Sequence, residues 1–343
     1  MDTESESPVC CGSGCTNCIL DQENRKRKIP SNFDGPNVLS TGHYHQFRCT
    51  HIEPVTNSTY LMRFQFVASE ETTQEVKLLI PPGSHLMLRV ERNWRNTPRP
   101  VNELFSKWCV ETSRADAHQA RVHRQVRPTI EKYDKTERDL YFSRPYTPIV
   151  VNQTERSFDV LIKFETGGEM SQYLLTSNVG DVQEWKGVYT GFCWTRNLFS
   201  HLIGFVQGVG LAPVYSIMKS ILQDEEDYTR LCLCSCFSDI SGIILRDDLY
   251  SMTKFWNFES KIYLSRESCT CDDESRRTCS CLSSRKKYNE QIFNHRLESI
   301  DVENLLQKFA PNSFQVLICG TEAFVAFIET CISKLNVSNW YKF

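Results

Sequence analysis

The sequence lacks an apolar run long enough to span a lipid bilayer, and its first residues lack the apolar core of a secretory signal peptide. Residues 1–6 are acidic instead, which is also atypical of a mitochondrial transit peptide. Glycine does not follow Met1, so the N-myristoylation pattern is absent as well. We therefore expect an intracellular protein, cytoplasmic or peripherally attached to a membrane, without a transmembrane anchor of its own.

The sequence also lacks an excess of positive charge. Its formal net charge is −3 at pH 7, which argues against a surface that binds nucleic acid. A chain of 343 residues, 40% hydrophobic and 24% charged, has the size and composition of two ordinary soluble domains. We expect a monomer without a nucleic-acid partner.

Cysteine, by contrast, is abundant, with 16 residues. A chain without a signal peptide is expected to keep its cysteines as thiols or metal ligands rather than as disulfides. Four of them lie within nine residues near the N-terminus: Cys10, Cys11, Cys15 and Cys18. This cluster is a candidate zinc site, with a redox-active pair or a docking element as the alternatives.

The remaining cysteines include two C-x-C pairs, at 269–271 and 279–281. These pairs fit a zinc site less well, because such sites more often use C-x-x-C spacing. Cys232, Cys234 and Cys236 alternate along a predicted strand, so we expect their side chains to share one face.

The chain divides into three parts. Residues 1–42 are polar and predict a flexible arm that carries the cysteine cluster. Residues 43–195 read as a series of short strands, interrupted at about 91–139 by an arginine-rich insertion. Residues 196–343 alternate strands with helices and contain a polar insertion at about 266–290.

Alternating apolar residues predict six strands in the first domain. They are 47–52, 60–67, 76–80, 85–90, 157–164 and 181–189. Short strands separated by turn signals are typical of a small antiparallel barrel or sandwich. The second domain has predicted strands at 202–207, 231–237, 261–265 and 315–319, and predicted helices at 214–222, 245–253 and 322–335. This alternation predicts a doubly wound parallel sheet.

The first motif that suits a ligand is Arg144-Pro145-Tyr146-Thr147-Pro148, a segment stiffened by its two prolines. Arg144 suits a diphosphate, while Tyr146 and Thr147 suit the face and the polar edge of an aromatic ring system. The alternative is a proline-rich edge strand with a surface arginine.

A second motif begins at Gly167 and Gly168, where paired glycines let the backbone approach a ligand closely. We expect Ser171 to cap the helix that begins here, and the amides of a helix N-terminus favour phosphate. The alternative is an ordinary loop that leads into a helix.

Two strand–turn–helix units follow in the second domain. Gly208 and Gly210 come directly after a predicted strand, and Pro213 suits the first turn of the next helix. Cys319 and Gly320 end a later strand in the same way. Ligands of doubly wound sheets lie at the carboxyl ends of the strands, so we expect both turns to face one crevice. The alternative for Cys319 is a buried free thiol.

Taken in this order, the four motifs resemble the ferredoxin-NADP reductase superfamily and, within it, the NADH-cytochrome b5 reductase branch. The resemblance extends from about Tyr44 to Phe343 outside the two insertions. It implies an antiparallel FAD-binding β-barrel followed by a doubly wound, parallel-sheet domain that binds NAD(P)H. The N-terminal cysteine run is similar to the oxidoreductase-like cysteine motif of some reductase-like proteins.

The resemblance also implies roles for individual residues. Those implied to contact FAD are Arg144, Pro145, Tyr146, Thr147, Leu161, Lys163, Gly168, Met170 and Ser171. Those implied to receive the reduced dinucleotide are Gly208, Gly210, Pro213, Cys319, Gly320 and Phe324. Phe343 would lie near the flavin, and Lys163 and Cys319 would be the catalytic pair beside the nicotinamide.

Several positions depart from the pattern of the branch. Glu169 stands where lysine is usual, which places a negative charge near a diphosphate. The others are Val209 and Ala212 in place of threonine, Thr321 and Glu322 in place of proline, and Gly242 in place of an acidic residue.

The function implied by the resemblance is that of an FAD-dependent reductase, which passes electrons from NADH to a one-electron acceptor such as cytochrome b5. NADPH as the donor, another haem or iron–sulfur acceptor, and a non-catalytic scaffold with a metal-binding cysteine arm are the alternatives. The arginine-rich insertion would offer a basic complement to an acidic acceptor, or would be a solvated loop.

Overall fold

The computed structural model describes residues 36–68, 76–96, 99, 102–105, 140–165, 167–267, 280–310 and 312–343. These residues form two sheets, one from each half of the chain. The N-terminal cysteine cluster, most of the arginine-rich insertion and the cysteines at 269, 271 and 279 lie outside the described residues.

The first domain is a seven-stranded antiparallel sheet with the order β4-β3-β7-β1-β2-β6-β5. Its strands are β1 (His45–Pro54), β2 (Thr59–Phe66), β3 (His85–Glu91), β4 (Tyr141–Tyr146), β5 (Pro148–Asn152), β6 (Ser157–Lys163) and β7 (Val182–Tyr189). Alternate residues of these strands fill an aromatic interior, where the ring centroids of Phe64 and Trp185 lie 4.9 Å apart. Five of the six predicted strands are confirmed.

The prediction of a strand at 76–80 is wrong. This segment makes one isolated bridge, between Lys77 and Asn37, and is not part of the sheet. The Asn37 side chain takes the place of a partner strand: its Nδ2 donates to the Leu79 carbonyl (2.6 Å), and its Oδ1 accepts from the Leu79 amide (3.1 Å). The side chains of Leu78 and Ile80 are buried, which explains why the segment has the alternating apolar pattern of a strand without forming one.

The second domain is a six-stranded parallel sheet with the order β11-β10-β9-β8-β12-β13. Its strands are β8 (His201–Gln207), β9 (Arg230–Phe237), β10 (Phe258–Leu264), β11 (Gln291–Phe293), β12 (Phe314–Cys319) and β13 (Trp340–Lys342). Its described helices are α2 (Leu211–Leu222), α3 (Arg246–Met252), α4 (Ser280–Ser283), α5 (Ser299–Leu306) and α6 (Glu322–Lys334), whereas α1 (Glu169–Leu174) belongs to the first domain. None of these helices is long and apolar enough to cross a membrane.

Helices cover both faces of the parallel sheet, so the predicted doubly wound architecture is confirmed. One apolar cluster joins the sheet to α2 and α3, and a second joins its other face to α5 and α6. The sequence patterns did not predict β11, α5 or β13, which are short and weakly periodic. The end of the second insertion is tied to α3, because Arg246 Nε donates to Glu290 Oε1 over 2.8 Å.

The two domains pack directly against each other. The Gly83 amide, in the barrel, donates to Ser216 Oγ on α2 over 2.9 Å, and this bond is buried. Leu61, Ile149 and Leu161 of the barrel belong to the same apolar cluster as α2. Burial of such side chains contributes about 1.5–3 kcal/mol each, so this interface holds the two halves in one arrangement.

Candidate functional site

The two glycine turns of the second domain meet, as predicted, at the carboxyl ends of neighbouring strands. Strands β8 and β12 are adjacent, with Val206 opposite Cys319. Gly210 lies so close to the second turn that a Cβ on it would be 2.7 Å from the Cys319 carbonyl oxygen. Gly208 turns the chain with φ +56° into open space. A side chain at Gly210 would therefore push the two turns apart.

Gln207 and Thr321 link the same two strand ends, and neither was predicted to be a site residue. Gln207 Oε1 accepts from the Thr321 hydroxyl (2.7 Å) and from the Thr321 amide (3.3 Å). A backbone N–H can only donate, so this bond fixes which end of the Gln207 amide carries the oxygen. Gln207 Nε2 has no protein acceptor among the described residues and remains available to a ligand.

Thr321 also begins the helix that follows. Its hydroxyl accepts from the Phe324 amide over 3.4 Å and so caps α6. Phe324 is buried behind the turn, where its ring would touch a Cβ on Gly320 at 2.7 Å. Phe324 therefore packs in the core of the second domain and supports the Gly320 turn from that side.

Cys319 is half-buried at the end of β12. Burial raises the pKa of its thiol to about 12, so it remains protonated at neutral pH. A protonated thiol is a poor nucleophile, which leaves contact and positioning as the roles that this residue can serve.

Helix α2 begins at Leu211, three residues earlier than predicted. Pro213 lies in the first turn, as expected, and is buried together with Ala212. Because Ala212 belongs to the core of the second domain, the absence of a hydroxyl there leaves a well-packed helix start.

In the barrel, the motif at 144–148 joins the two edge strands of the sheet. Strands β4 and β5 are the two edges of the sheet, and Thr147 alone separates them along the chain. Pro145 lies on the edge strand β4, where a residue without an N–H is tolerated. The motif is thus an edge strand, as the alternative interpretation held, and also the corner at which the chain passes between the two edges.

The polar groups of this motif have few protein partners. Arg144 is exposed; its Nη1 donates to the Ser143 carbonyl (2.8 Å), and no described carboxylate pairs with it. Thr147 makes no side-chain hydrogen bond within the described part of the chain. Tyr146 packs edge-on against Trp185 with ring centroids 5.9 Å apart, and burial raises the pKa of its hydroxyl.

Strand β6 carries two further predicted residues. Leu161 is buried in the interface cluster between the domains. Lys163 ends the strand with its side chain 44% exposed, and its Nζ lies 4.0 Å from Glu165 Oε1. Such a weak, exposed pair leaves Lys163 free to exchange partners.

The glycine pair at 167–168 leads into α1, but the predicted cap is wrong. Gly168 occupies the N-cap position, so Ser171 lies one turn inside the helix, and its Oγ accepts from the Glu165 amide over 3.0 Å. The Met170 side chain is buried in the barrel core. Only the backbone of Met170 is therefore available to a ligand.

Glu169 is paired with a residue of the insertion. Arg92 Nη1 lies 3.3 Å from Glu169 Oε2, with the two side chains 48% and 32% exposed. A carboxylate that stands where lysine was expected thus has a counter-charge supplied by a segment 77 residues earlier in the chain.

Phe343 is half-buried at the boundary of the two domains. Its amide donates to the Ile318 carbonyl over 3.0 Å, which extends the β12–β13 pairing. Its ring lies 6.2 Å from that of Phe192 and would touch a Cβ on Gly83 at 3.4 Å. The chain end is therefore held where the barrel meets α2.

Comparisons with known proteins agree with this architecture. Residues 132–194 match the family model for the oxidoreductase FAD-binding domain. The human NADH-cytochrome b5 reductase-like protein is 26% identical over 96% of this chain and 90% of its own length. The mouse NADH-cytochrome b5 reductase-like protein is 28% identical over 75% of this chain and 71% of its own length.

Solved structures give the same fold. The cytochrome b5 reductase domain of Ulva prolifera nitrate reductase superposes with a TM-score of 0.62 at 18% identity, covering 90% of this chain and 100% of that domain. A ferredoxin NADP+ reductase from Neisseria gonorrhoeae superposes with a TM-score of 0.55 at 12% identity, covering 88% of this chain and 98% of that one. The chain is related to cytochrome b5 reductases and has the ferredoxin-NADP reductase fold. The resemblance and the fold class predicted from the motifs are confirmed.

The cysteines of this reductase-like chain separate into described and undescribed groups. Cys232, Cys234 and Cys236 lie on one face of β9, as predicted, and the first two join the core that β9 shares with α5 and α6. Burial helps to raise the pKa of Cys236 to about 12, so this thiol also remains protonated. The metal-binding hypothesis for the N-terminal cluster falls outside the described residues.

Among the described residues, His295, Glu298 and Asp301 place ligand atoms within 4.8 Å of one another. The two carboxylates already have a structural role, since Glu298 and Asp301 form the capping box that begins α5. His295 Nδ1 also lies 2.8 Å from the Arg296 carbonyl oxygen. The group is therefore explained by the start of the helix.

Proposed function

We propose that the chain is an FAD-dependent reductase that passes electrons from NADH to a one-electron acceptor, with cytochrome b5 as the first candidate. The names of the similar proteins point to this donor and acceptor. The family model that covers the barrel motifs points to FAD.

One structural observation carries the proposal: the two halves of the predicted site come from elements that touch. Strand β5 begins directly after the 144–147 corner and packs on α2, which begins directly after the Gly208–Gly210 turn. Leu161, on the neighbouring strand, belongs to the same interface cluster. A ligand on the barrel and a ligand in the crevice would therefore meet at the domain boundary.

The barrel residues fit FAD chemically. Among the described residues, Arg144 has no carboxylate partner and the Thr147 hydroxyl makes no hydrogen bond, while Gly167 offers an open backbone at φ +79°. These are the donors that a diphosphate and the polar edge of a flavin need. Held by these residues, a bound FAD would supply the redox chemistry, with two-electron uptake from a reduced dinucleotide and one-electron release to an acceptor.

The crevice residues fit a dinucleotide. Gly208 and Gly210 expose backbone at the end of β8, and Gln207 presents its amide N–H groups beside them. Asp239 lies two residues after the adjacent strand β9, where its Oδ1 accepts from the Gly242 amide over 3.0 Å. A carboxylate at this position suits a ribose hydroxyl and repels a 2′-phosphate, which supports NADH over NADPH.

The side chains of the site do not need to act as acids or bases. With its pKa raised to about 12, Cys319 remains a neutral thiol, and Lys163 is a partly exposed cation at the end of β6. Their proposed work is to orient the two ligands and to limit the entry of water, so that electron transfer follows from close placement.

The test is an anaerobic titration of purified full-length protein. We expect a yellow protein whose flavin absorbance is bleached by NADH, with NADPH much less effective, followed by reoxidation on addition of cytochrome b5. A colourless protein that takes up no added FAD would rule out the enzyme and favour a scaffold. Bleaching by NADH without reoxidation by cytochrome b5 would retain the reductase and reject this acceptor, leaving another haem or iron–sulfur protein to be tried.

A further inference from the structure

The start of the arginine-rich insertion runs alongside α1. A 3-10 turn at Arg92–Asn96 places three side chains on that helix. Arg92 Nη1 lies 3.3 Å from Glu169 Oε2, and Arg95 Nη2 donates to Gln172 Oε1 over 2.8 Å. Between them, the rings of Trp94 and Tyr173 meet edge to face with centroids 5.6 Å apart.

The contacts continue past the end of the helix. Arg99 Nη1 lies 2.9 Å from Asp181 Oδ2, and the Asn102 amide donates to the Leu175 carbonyl over 2.9 Å. Phe105 is fully buried in the barrel core, where its ring lies 4.7 Å from that of Tyr60. We call the described residues 92–96, 99 and 102–105 the strap.

The strap therefore has a fixed place on the barrel. It is anchored in the core at Phe105. Arg92 and Arg95 contact the helix that follows the glycine pair, and Arg99 contacts Asp181 beyond that helix. Each of the three described arginines of the strap has a protein partner, so none of them is a freely solvated charge held ready for an electron acceptor.

The partners of these arginines differ in charge and in position. Arg92 is the arginine of the strap that pairs with a carboxylate of α1. Gln172 is neutral, and Asp181 lies beyond the helix, directly before β7. Glu169, in contrast, is the first residue of α1, directly after Gly168. An unpaired carboxylate here would repel an anionic ligand on the neighbouring backbone, and opposite charges a few ångströms apart cancel most of that repulsion.

We propose that Arg92 is a positioning residue for FAD binding, because it neutralises Glu169 and lets the glycine segment 167–168 accept the cofactor's diphosphate. The inference rests on the proposed function, in which this segment contacts FAD. The insertion then supplies from outside the motif the positive charge that the motif itself lacks.

The test is a charge cycle in the full-length chain, with FAD affinity measured by titrating the apoprotein and following flavin fluorescence. We expect Arg92→Gln to weaken FAD binding roughly fivefold, the order of effect of a partly exposed charge pair. Arg92→Lys, which keeps the charge, should stay within about twofold of the parent, as should Glu169→Gln. The double change Arg92→Gln with Glu169→Gln should restore the affinity.

Arg95→Gln is the matched control. It removes one positive charge from the same turn, but its partner Gln172 is neutral, so FAD affinity should change by less than about twofold. The Arg92→Gln loss should also shrink at high salt, since added ions screen the unpaired carboxylate. Thermal unfolding of each apoprotein checks that the variants fold.

The outcomes are distinct. If the parent binds FAD and Arg92→Gln matches it, or if Glu169→Gln fails to rescue the double variant, the role of Arg92 is overturned and the reductase proposal stands. If Arg92→Gln does not fold, Glu169→Gln decides alone: a severalfold loss of FAD affinity would reject the inference, and retained or tighter binding would support it. If the parent takes up no FAD, both proposals fall.

Discussion

In the barrel, Arg144 and Thr147 present polar groups that have few partners among the described residues, whereas in the α/β domain Gln207 and Thr321 are bonded to each other. The barrel half depends on charge, with an open cation at Arg144 and a compensated carboxylate at Glu169. The crevice half depends on close backbone packing between Gly210 and Cys319. Substitutions at Arg144 and Glu169 should therefore act through electrostatics, and a side chain added at Gly210 through steric overlap.

The largest effect should come from Gly210→Val, which tests the steric half. Its side chain would overlap the Cys319 carbonyl oxygen, which a Cβ alone approaches to 2.7 Å. We expect a loss of about 3 kcal/mol in the free energy of unfolding and loss of NADH binding. Thermal unfolding and a titration with NADH measure the two effects.

Gly242→Ala is the control for this change, because a Cβ there meets nothing nearer than 3.7 Å. It should leave the melting temperature close to that of the parent. An unchanged melting temperature of Gly210→Val would contradict the close approach of the two turns, and an unchanged NADH affinity would contradict the proposed role of this turn in NADH binding.

A pH titration tests the barrel through His85, which stacks on Tyr189 with ring centroids 5.3 Å apart. Burial lowers the pKa of His85 to about 4, below its ordinary value of 6.5. The unfolded chain therefore binds the proton more tightly between these values, and stability is complete above pH 6.5 and falls as the pH drops towards 4. We expect about 2 kcal/mol to be lost by pH 5.

Urea unfolding at pH 7.5 and pH 5 measures this loss, with His85→Gln as the comparison. The variant should show a shallower dependence on pH than the parent, because its side chain does not titrate. Equal slopes for the two proteins would assign the acid sensitivity to other groups.

The contact between the two domains should respond to Gly83→Ala. This residue has φ +79°, and its added Cβ would lie 2.7 Å from Ile217 Cδ1 on α2. We expect a loss of about 1–2 kcal/mol in the free energy of unfolding, from backbone strain and overpacking together. Gly42→Ala, where a Cβ meets nothing within 4 Å, should be neutral in the same chemical denaturation experiment.

The smallest effect should come from Thr321→Ala in the crevice. It removes the cap of α6 and the hydroxyl that orients Gln207. We expect a loss of about 1 kcal/mol in stability and a severalfold weaker affinity for NAD+, with FAD affinity unchanged. Thr321→Ser should keep both properties, and calorimetric titration with NAD+ would show whether it does.

Much of the fold could be predicted because its patterns are local. The strands near 60–67 and 202–207 and the helix at 322–335 were found within a few residues of their observed bounds, since side-chain alternation and helical spacing follow directly from backbone geometry. The same reasoning wrongly predicted a strand at 76–80. The side chain of Asn37, which is distant in the sequence, forms hydrogen bonds with the backbone of this segment in place of a neighbouring strand.

The motifs of the candidate site were also visible in the sequence, but their partners were not. Glu169 conflicts with a phosphate contact until Arg92 is seen beside it. Thr321 departs from the pattern of the branch, and the structure shows its role: its amide and hydroxyl donate hydrogen bonds to Gln207. Ser171 has a favourable residue type for a cap, yet the helix begins before it.

The sequence by itself determined the order of the two domains, the glycine turns and the cation at Arg144, because each depends on residue type and short-range spacing. Only the tertiary structure decided which charges are paired, how closely Gly210 approaches Cys319 and where Phe343 lies. The Arg92–Glu169 pair joins residues 77 positions apart in the chain, and the Gln207–Thr321 pair joins residues 114 positions apart. Contacts at such separations are set by how the sheets close and pack, and no local pattern records them.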